Sequence, residues 1–283
     1  MLCLLASDFP SENPRTQTRN FPYTSTLPLI RMNYTNEKII ERFESGENLK
    51  FLLFWGHTKS DLITKSCFSQ WYESKFKVNG VEYQTAEHFM MAEKALLFKD
   101  KDIYEQIIKS SKAGKVKELG RKVKNFNQRI WEENRFEIVV RGNFHKFSQN
   151  PKLSEFLKNT NERILVEASP VDNIWGIGLA QNNEDAENPY FWNGLNLLGY
   201  ALMETRDIIN KIGEFQALEK PVLPPWLAHP EIDRYSIGWR MGYGEGHIDD
   251  LLVYLENLSD SEKVIYELTY PENEEWKGWY KNG

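Results

Sequence analysis

Hydrophobic and polar positions follow two periods along the chain, and the switch between them marks out its elements. Residues 51–55 form a short continuous apolar run closed by Gly56, which suits a buried strand. The segment KFKVNGVEY (75–83) alternates apolar and polar positions on both sides of Asn79-Gly80. Period and turn chemistry agree there on a β-hairpin. The pattern then turns helical over TAEHFMMAEKALLF (85–98). Thr85 stands ready to accept from a first-turn N–H, with His88 where a full capping box would carry an acid. Helical spacing recurs over 101–108, 113–119, 128–147, 151–157 and 197–209. The pattern predicts an α+β fold, mostly helical, with a short β-hairpin and a small C-terminal extension.

Three parts follow from these patterns. Residues 1–31 read as a flexible N-terminal tail: they mix Pro, Ser, Thr, Asn and Arg without a period. The apolar opening is short and lacks the basic lead of a signal peptide. Organised patterning begins just after Met32, a candidate natural start. Residues 32–212 form the main domain. Residues 213–283 form a small module behind a proline-rich linker that holds Pro221, Pro224, Pro225 and Pro230. About seventy residues bury little core of their own, so this module is expected to lean on the main body.

Composition narrows the class. Of 283 residues 41% are apolar and 13% aromatic, too much apolar material for a disordered chain. The two cysteines, Cys3 and Cys67, exclude a disulfide scaffold and a cysteine-built zinc site, which makes a reducing, cytoplasmic setting the default. No apolar run reaches the roughly 18 residues of a membrane span. A net charge of -6 argues against a general nucleic-acid footprint. Lys109, Lys112, Lys115, Lys117, Arg121, Lys122 and Lys124 nevertheless crowd one stretch, which fits either a local basic groove or a solvated helix face. The five histidines are scattered without metal-ligand spacing, and no glycine-rich loop joins a strand to a helix. Neither a metal nor a cofactor is expected.

Two stretches carry candidate chemistry. Glu87, Met91, Lys94 and Phe98 share one helix face. Glu87 and Lys94 lie two turns apart, roughly 10 Å along the axis, so both suit one cleft, and equally a solvated face. LVEASPVDNIWGIG (165–178) sets Asp172 three residues before Trp175, ahead of a long polar loop. Trp175 fits a base-stacking surface or a core position. Asp172 fits a water-orienting acid or a turn residue. Carboxylates beside an aromatic in a cleft suit glycosidic bond cleavage, whose sugar carbon acquires cationic character.

Six ordered segments resemble the NADAR, or YbiA-like, family: FWGH (54–57), CFSQWYESKFKVNGVEYQTAEHFMMAEKALLF (67–98), LGR (119–121), FHKFSQNPKLSEFLKNT (144–160), LVEASPVDNIWGIG and NGLNLLGYALMETRD (193–207). The resemblance implies a YbiA-like fold and N-glycosidase activity. It implies catalytic roles for Glu87, Lys94, Asp172 and Trp175. The shared motifs imply substrate contacts at Phe54, Trp55, Gly56, Trp71, His88, Arg121, Gly176, Asn196 and Arg206, with Lys122 beside Arg121 also facing phosphate. Substrates of the family are ADP-ribosylated guanine in DNA, in an antitoxin or defence role with a toxin partner, or phosphorylated ribosyl-pyrimidine intermediates of riboflavin synthesis. Removal of ADP-ribose from DNA is the expected activity here. The riboflavin intermediates, and a non-catalytic ADP-ribose-binding module, are the alternatives. The Ser69-Gln70-Trp71 variant and Met90-Met91 reshape the pocket wall relative to other members. The C-terminal Arg234 and Arg240 suit either phosphate contacts or structural ion pairs.

Overall fold

Helix α1 (Asn36–Glu44) starts at Thr35, whose hydroxyl accepts from the Lys38 N–H, and strand β1 (Phe51–Phe54) follows. The chain is described by a computed structural model over residues 32–58 and 60–282. The expected tail over 1–31 lies outside the described residues. A 3-10 turn (Lys65–Phe68) leads into the hairpin β2 (Phe76–Val78) and β3 (Val81–Tyr83). Val78 pairs with Val81, and Asn79 and Gly80 both take positive φ (47° and 78°), as a two-residue primed turn requires.

Helix α2 (Ala86–Leu97) is capped by Thr85 as its sequence predicts. It is surrounded by α3 (Lys101–Lys109), α4 (Ala113–Gly120) and the long α5 (Gln128–Ser148). Two glycines permit that approach. A Cβ on Gly142 of α5 would sit 2.7 Å from the Phe89 ring, and one on Gly120 would overlap the Met91 sulfur. Residues 86–92 of α2 are consequently all buried, polar ones included. A solvated face for Glu87 is thereby ruled out.

After α6 (Pro151–Lys158), strand β4 (Ile164–Glu167) pairs in parallel with β1, Phe51 opposite Ile164 and Phe54 opposite Glu167. Helix α7 (Leu197–Ile212) packs on β4 and α5. At Gly199 a Cβ would meet the Leu165 carbonyl at 2.1 Å. The main core is therefore a helical layer closed against two short parallel strands, with both strand C-termini on one side.

The C-terminal residues build a second, aromatic cluster from Trp226, Tyr266, Tyr270, Trp276, Trp279 and Tyr280, joined by Leu251 and Leu255. They come from the short α8 (Pro225–Ala228), α9 (Tyr243–Glu256), α10 (Asp260–Thr269) and the residues after them. Helix α10 serves both cores: Val264, Ile265 and Leu268 enter the main one while Tyr266 enters the second. Buried Arg141 of α5 pairs with Glu93 at 3.0 Å and donates to the Leu268 carbonyl at 3.1 Å. Among the described residues no helix is long and apolar enough to cross a membrane.

Candidate active site

The parallel strands end beside the N-terminus of α2, and two glutamates come together there. Glu87 is 3% exposed, and its Oε1 has no hydrogen-bond partner. Its backbone N–H is held by the Gln70 carbonyl at 2.9 Å. Desolvation dominates its electrostatics and pushes the carboxyl up to about 7. Lys117, the Trp71 indole N–H and Arg121 pull the other way, while the Asp172 charge adds to the rise. Glu167, the last residue of β4, likewise has a buried, unpartnered Oε2. Desolvation raises its carboxyl to about 8, helped by Asp172 and Glu87 and opposed by Lys117. The Glu87 charge thus reaches Glu167 and favours a proton there. The indole bond and both basic groups favour charge on Glu87, so the retained proton resides preferentially on Glu167.

Surrounding residues hold this pair. The Asp172 Oδ1 accepts from the Ile174 N–H at 2.9 Å and the Trp175 N–H at 2.8 Å. It is the turn residue of its loop, and its charge still reaches both glutamates. Gly176 lets that loop fold onto β4, where a Cβ would meet the Glu167 carbonyl at 2.7 Å. The Ile177 N–H closes the contact by donating to the same carbonyl at 2.9 Å. Trp175 is half-buried against the main core. The long loop beyond is packed: buried Trp192 donates its indole N–H to the Ala186 carbonyl at 3.0 Å.

On the other wall, the Trp71 ring lies 5.4 Å from the His57 ring, with the Lys117 ammonium 5.7 Å away over its face. Gly114 of α4 approaches the same indole. His57 thus brings the strand-end segment to the site, with Trp55 51% exposed and Gly56 turning the chain at φ 85°. Phe54 itself is fully buried core.

Four further expected site residues sit elsewhere. Lys94 turns away from Glu87 and lies over the Phe126 ring at 4.3 Å and the Trp131 ring at 5.3 Å, because two helical turns carry it to the far end of α2. His88 is spent on the fold: its ring bonds Thr85 Oγ1 at 2.8 Å and the Ser110 carbonyl at 3.1 Å. Burial holds its pKa down. Arg206 is buried and donates to Thr160 Oγ1 at 2.9 Å and the Arg163 carbonyl at 3.0 Å, so it ties α7 to the approach to β4. Asn196, at φ 51° and fully buried, bridges the β4 backbone by accepting from the Glu167 N–H and donating to the Leu165 carbonyl. It acts on the site only by orienting Glu167. In the C-terminal module, Arg234 donates to the Glu275 and Lys277 carbonyls, a structural role.

The sequence pattern does not single out Glu167 or Lys117 as site residues. A signal for Glu167 exists: an apolar strand that ends on an acid, on the side where parallel strands of α/β sheets present ligand sites. Lys117 is one member of a basic run, and nothing local distinguishes it. Among the described residues no group of three or more His, Cys, Asp or Glu side chains is arranged to hold a metal.

Fold and candidate site together define a mostly helical α+β domain that holds two desolvated carboxyls at the ends of its parallel strands. A family model of the NADAR domain matches residues 53–210, more than half of the chain. The chain belongs to that family. An N-glycosidase of Acanthamoeba polyphaga mimivirus is 45% identical over 166 residues, which cover 57% of this chain and 97% of the viral protein. Protein irg-1 of Caenorhabditis elegans is 34% identical over 55% of this chain and 81% of its own length. The NMR structure of the E. coli protein YbiA is 26% identical and covers 60% of this chain and 92% of that one, with a TM-score of 0.45.

Proposed function

We propose that this protein is an N-glycosidase that hydrolyses a base–ribose bond, and that its substrate is ADP-ribosylated guanine in DNA. The observation that carries the first part is the pair Glu87 and Glu167, each with a buried carboxyl oxygen that nothing on the protein satisfies. An acid kept protonated near neutral pH beside an ionised partner matches what the bond needs. Glu167 hands its proton to the departing base as the bond to C1 of the ribose breaks. The Glu87 carboxylate faces the resulting cationic carbon and orients the water that adds there, and the proton lost by that water restores the pair. Trp175 offers a flat surface to the base, where stacking is worth about 1–3 kcal/mol. Asp172 keeps the loop in place.

Support for a phosphate-bearing substrate comes from Lys117 and Arg121, the two members of the basic run whose charge reaches Glu87. Lys117 suits a point-charge contact and Arg121 a bidentate one. Lys109, Lys115 and Lys124 instead form exposed pairs with Glu105, Glu118 and Asp102.

The test is release of ADP-ribose from ADP-ribosylated guanine DNA, followed by mass spectrometry with wild type and Glu87→Gln in parallel. Release by the wild type and a loss of more than about 100-fold in the variant, roughly 2.7 kcal/mol of transition-state stabilisation, is expected. Absence of release from DNA together with turnover of phosphorylated ribosyl-pyrimidine intermediates would move the substrate to riboflavin synthesis. Tight ADP-ribose binding without turnover of either would reduce the protein to a binding module.

A further inference from the structure

Lys146 is a lysine that the chemistry above does not use, and it is fully buried on the inner face of α5. Its ammonium donates to the Cys67 carbonyl at 2.6 Å and to the Ser69 carbonyl at 2.8 Å. These two carbonyls bracket Phe68 at the end of the 3-10 turn. Three residues back along the same face of α5, Asn143 Oδ1 accepts from the Gln70 side-chain amide at 3.1 Å. One helix therefore grips three of the four residues 67–70 with two side chains. The next residue is Trp71, whose backbone N–H is fixed by the Ser69 hydroxyl at 3.2 Å and whose indole favours charge on the Glu87 carboxyl. Gln70 closes the circuit through its carbonyl, which receives the Glu87 backbone N–H.

We propose that Lys146 is a positioning residue of the site: it clamps the 67–69 turn so that the Gln70 carbonyl and the Trp71 indole stay set against Glu87. Burial opposes the charge on this amine, and both of its bonds are spent on the 67–69 turn. A group that only satisfied two carbonyls would affect stability alone. A clamp on Trp71 also affects the proton affinity of Glu87, because the indole favours the charged form and its withdrawal leaves only Lys117 and Arg121 to oppose desolvation. The catalytic consequence rests on the glycosidase reading; the coupling of Lys146 to Glu87 does not.

The experiment is a titration of Glu87 by 13C NMR in glutamate-labelled full-length protein, the resonance being assigned by its disappearance in Glu87→Gln. Lys146→Met and Trp71→Phe are each expected to raise the Glu87 midpoint by about one pH unit, the scale of a lost hydrogen bond to a charged group. The double variant should show no further shift than either single one, since both act through the Trp71 indole. Lys146→Gln, which keeps two donor hydrogens, replaces the methionine variant if that does not fold and should shift the midpoint less than Trp71→Phe. A Glu87 midpoint unchanged in the Lys146 variants while Trp71→Phe raises it would overturn the proposal. So would additive shifts in the double variant. A matching displacement of the acid limb of the pH–activity profile is expected. Absence of any turnover in wild type would count against the glycosidase reading and leave the NMR result to decide the clamp.

Discussion

Replacing Glu87 with glutamine removes an ionisable group whose burial opposes its own charge, so the variant should become more stable than wild type as pH rises. Below about pH 4.5 the carboxyl is protonated in both folded and unfolded chains and contributes no difference. Between 4.5 and about 7 the unfolded chain releases the proton while the folded one retains it. Wild-type stability then falls by about 1.4 kcal/mol per pH unit and levels off once the folded carboxyl also ionises. Across that window the loss amounts to about 3 kcal/mol. Glutamine keeps an acceptor for the Trp71 indole, and any fixed cost of the exchange cancels when the difference is followed against pH. Removing the Glu87 charge also relaxes Glu167, which adds in the same direction. Urea unfolding followed by tryptophan fluorescence at half-unit steps from pH 4 to 8.5 gives the two curves, with m-values checked for equality. A variant-minus-wild-type difference that grows by about 3 kcal/mol is expected, alongside lost turnover. A difference constant within about 1 kcal/mol, or one shrinking with pH, would refute the desolvated acid on which the site rests.

Activity should peak in a narrow window, since the site needs Glu87 ionised above about 7 and Glu167 protonated below about 8; kcat/KM measured from pH 5 to 10 should fall on both sides, and Glu167→Gln should remove most turnover. Lys94→Met loses a cation–π contact of about 0.5–1 kcal/mol and should leave kcat/KM within about threefold of wild type. Lys117→Met should move the acid limb to higher pH and raise KM for a phosphorylated substrate, which steady-state kinetics separates. Gly199→Ala forces a methyl into the Leu165 carbonyl 2.1 Å away; thermal unfolding should show a loss of several kcal/mol, larger than the about 1–3 kcal/mol usual for overpacking against movable side chains.

Local physics governs what was legible. The hairpin around Asn79-Gly80 and the helices following Thr85 depend on period, turn chemistry and caps, all written within a few residues of one another. The helical spans read from spacing fall within about three residues of α3 to α7, the scatter expected at frayed ends. Strand β4 escaped because ILVE is four residues long and becomes a strand only by pairing with Phe51–Phe54, more than a hundred positions away. Arg206 and Asn196, read as ligand contacts, are consumed by backbone carbonyls and N–H groups that only the packing of α7 on β4 brings within reach.

By itself the sequence determined the periods, the caps, the turn and the set of motifs that identify the family, and it marked Glu87 as an acid at a helix N-terminus. Tertiary structure decided which partners that acid has. Lys94 shares its helix yet sits two turns off, whereas Lys117, Arg121, Trp71, Asp172 and Glu167 arrive from four other segments. The packing of α2 among α3, α4 and α5 strips water from Glu87, and Glu167 is covered instead where the 172–177 loop and Asn196 fold onto β4. Desolvation and charge act through space over a few ångströms, and closeness in space is a property that no spacing along the chain contains.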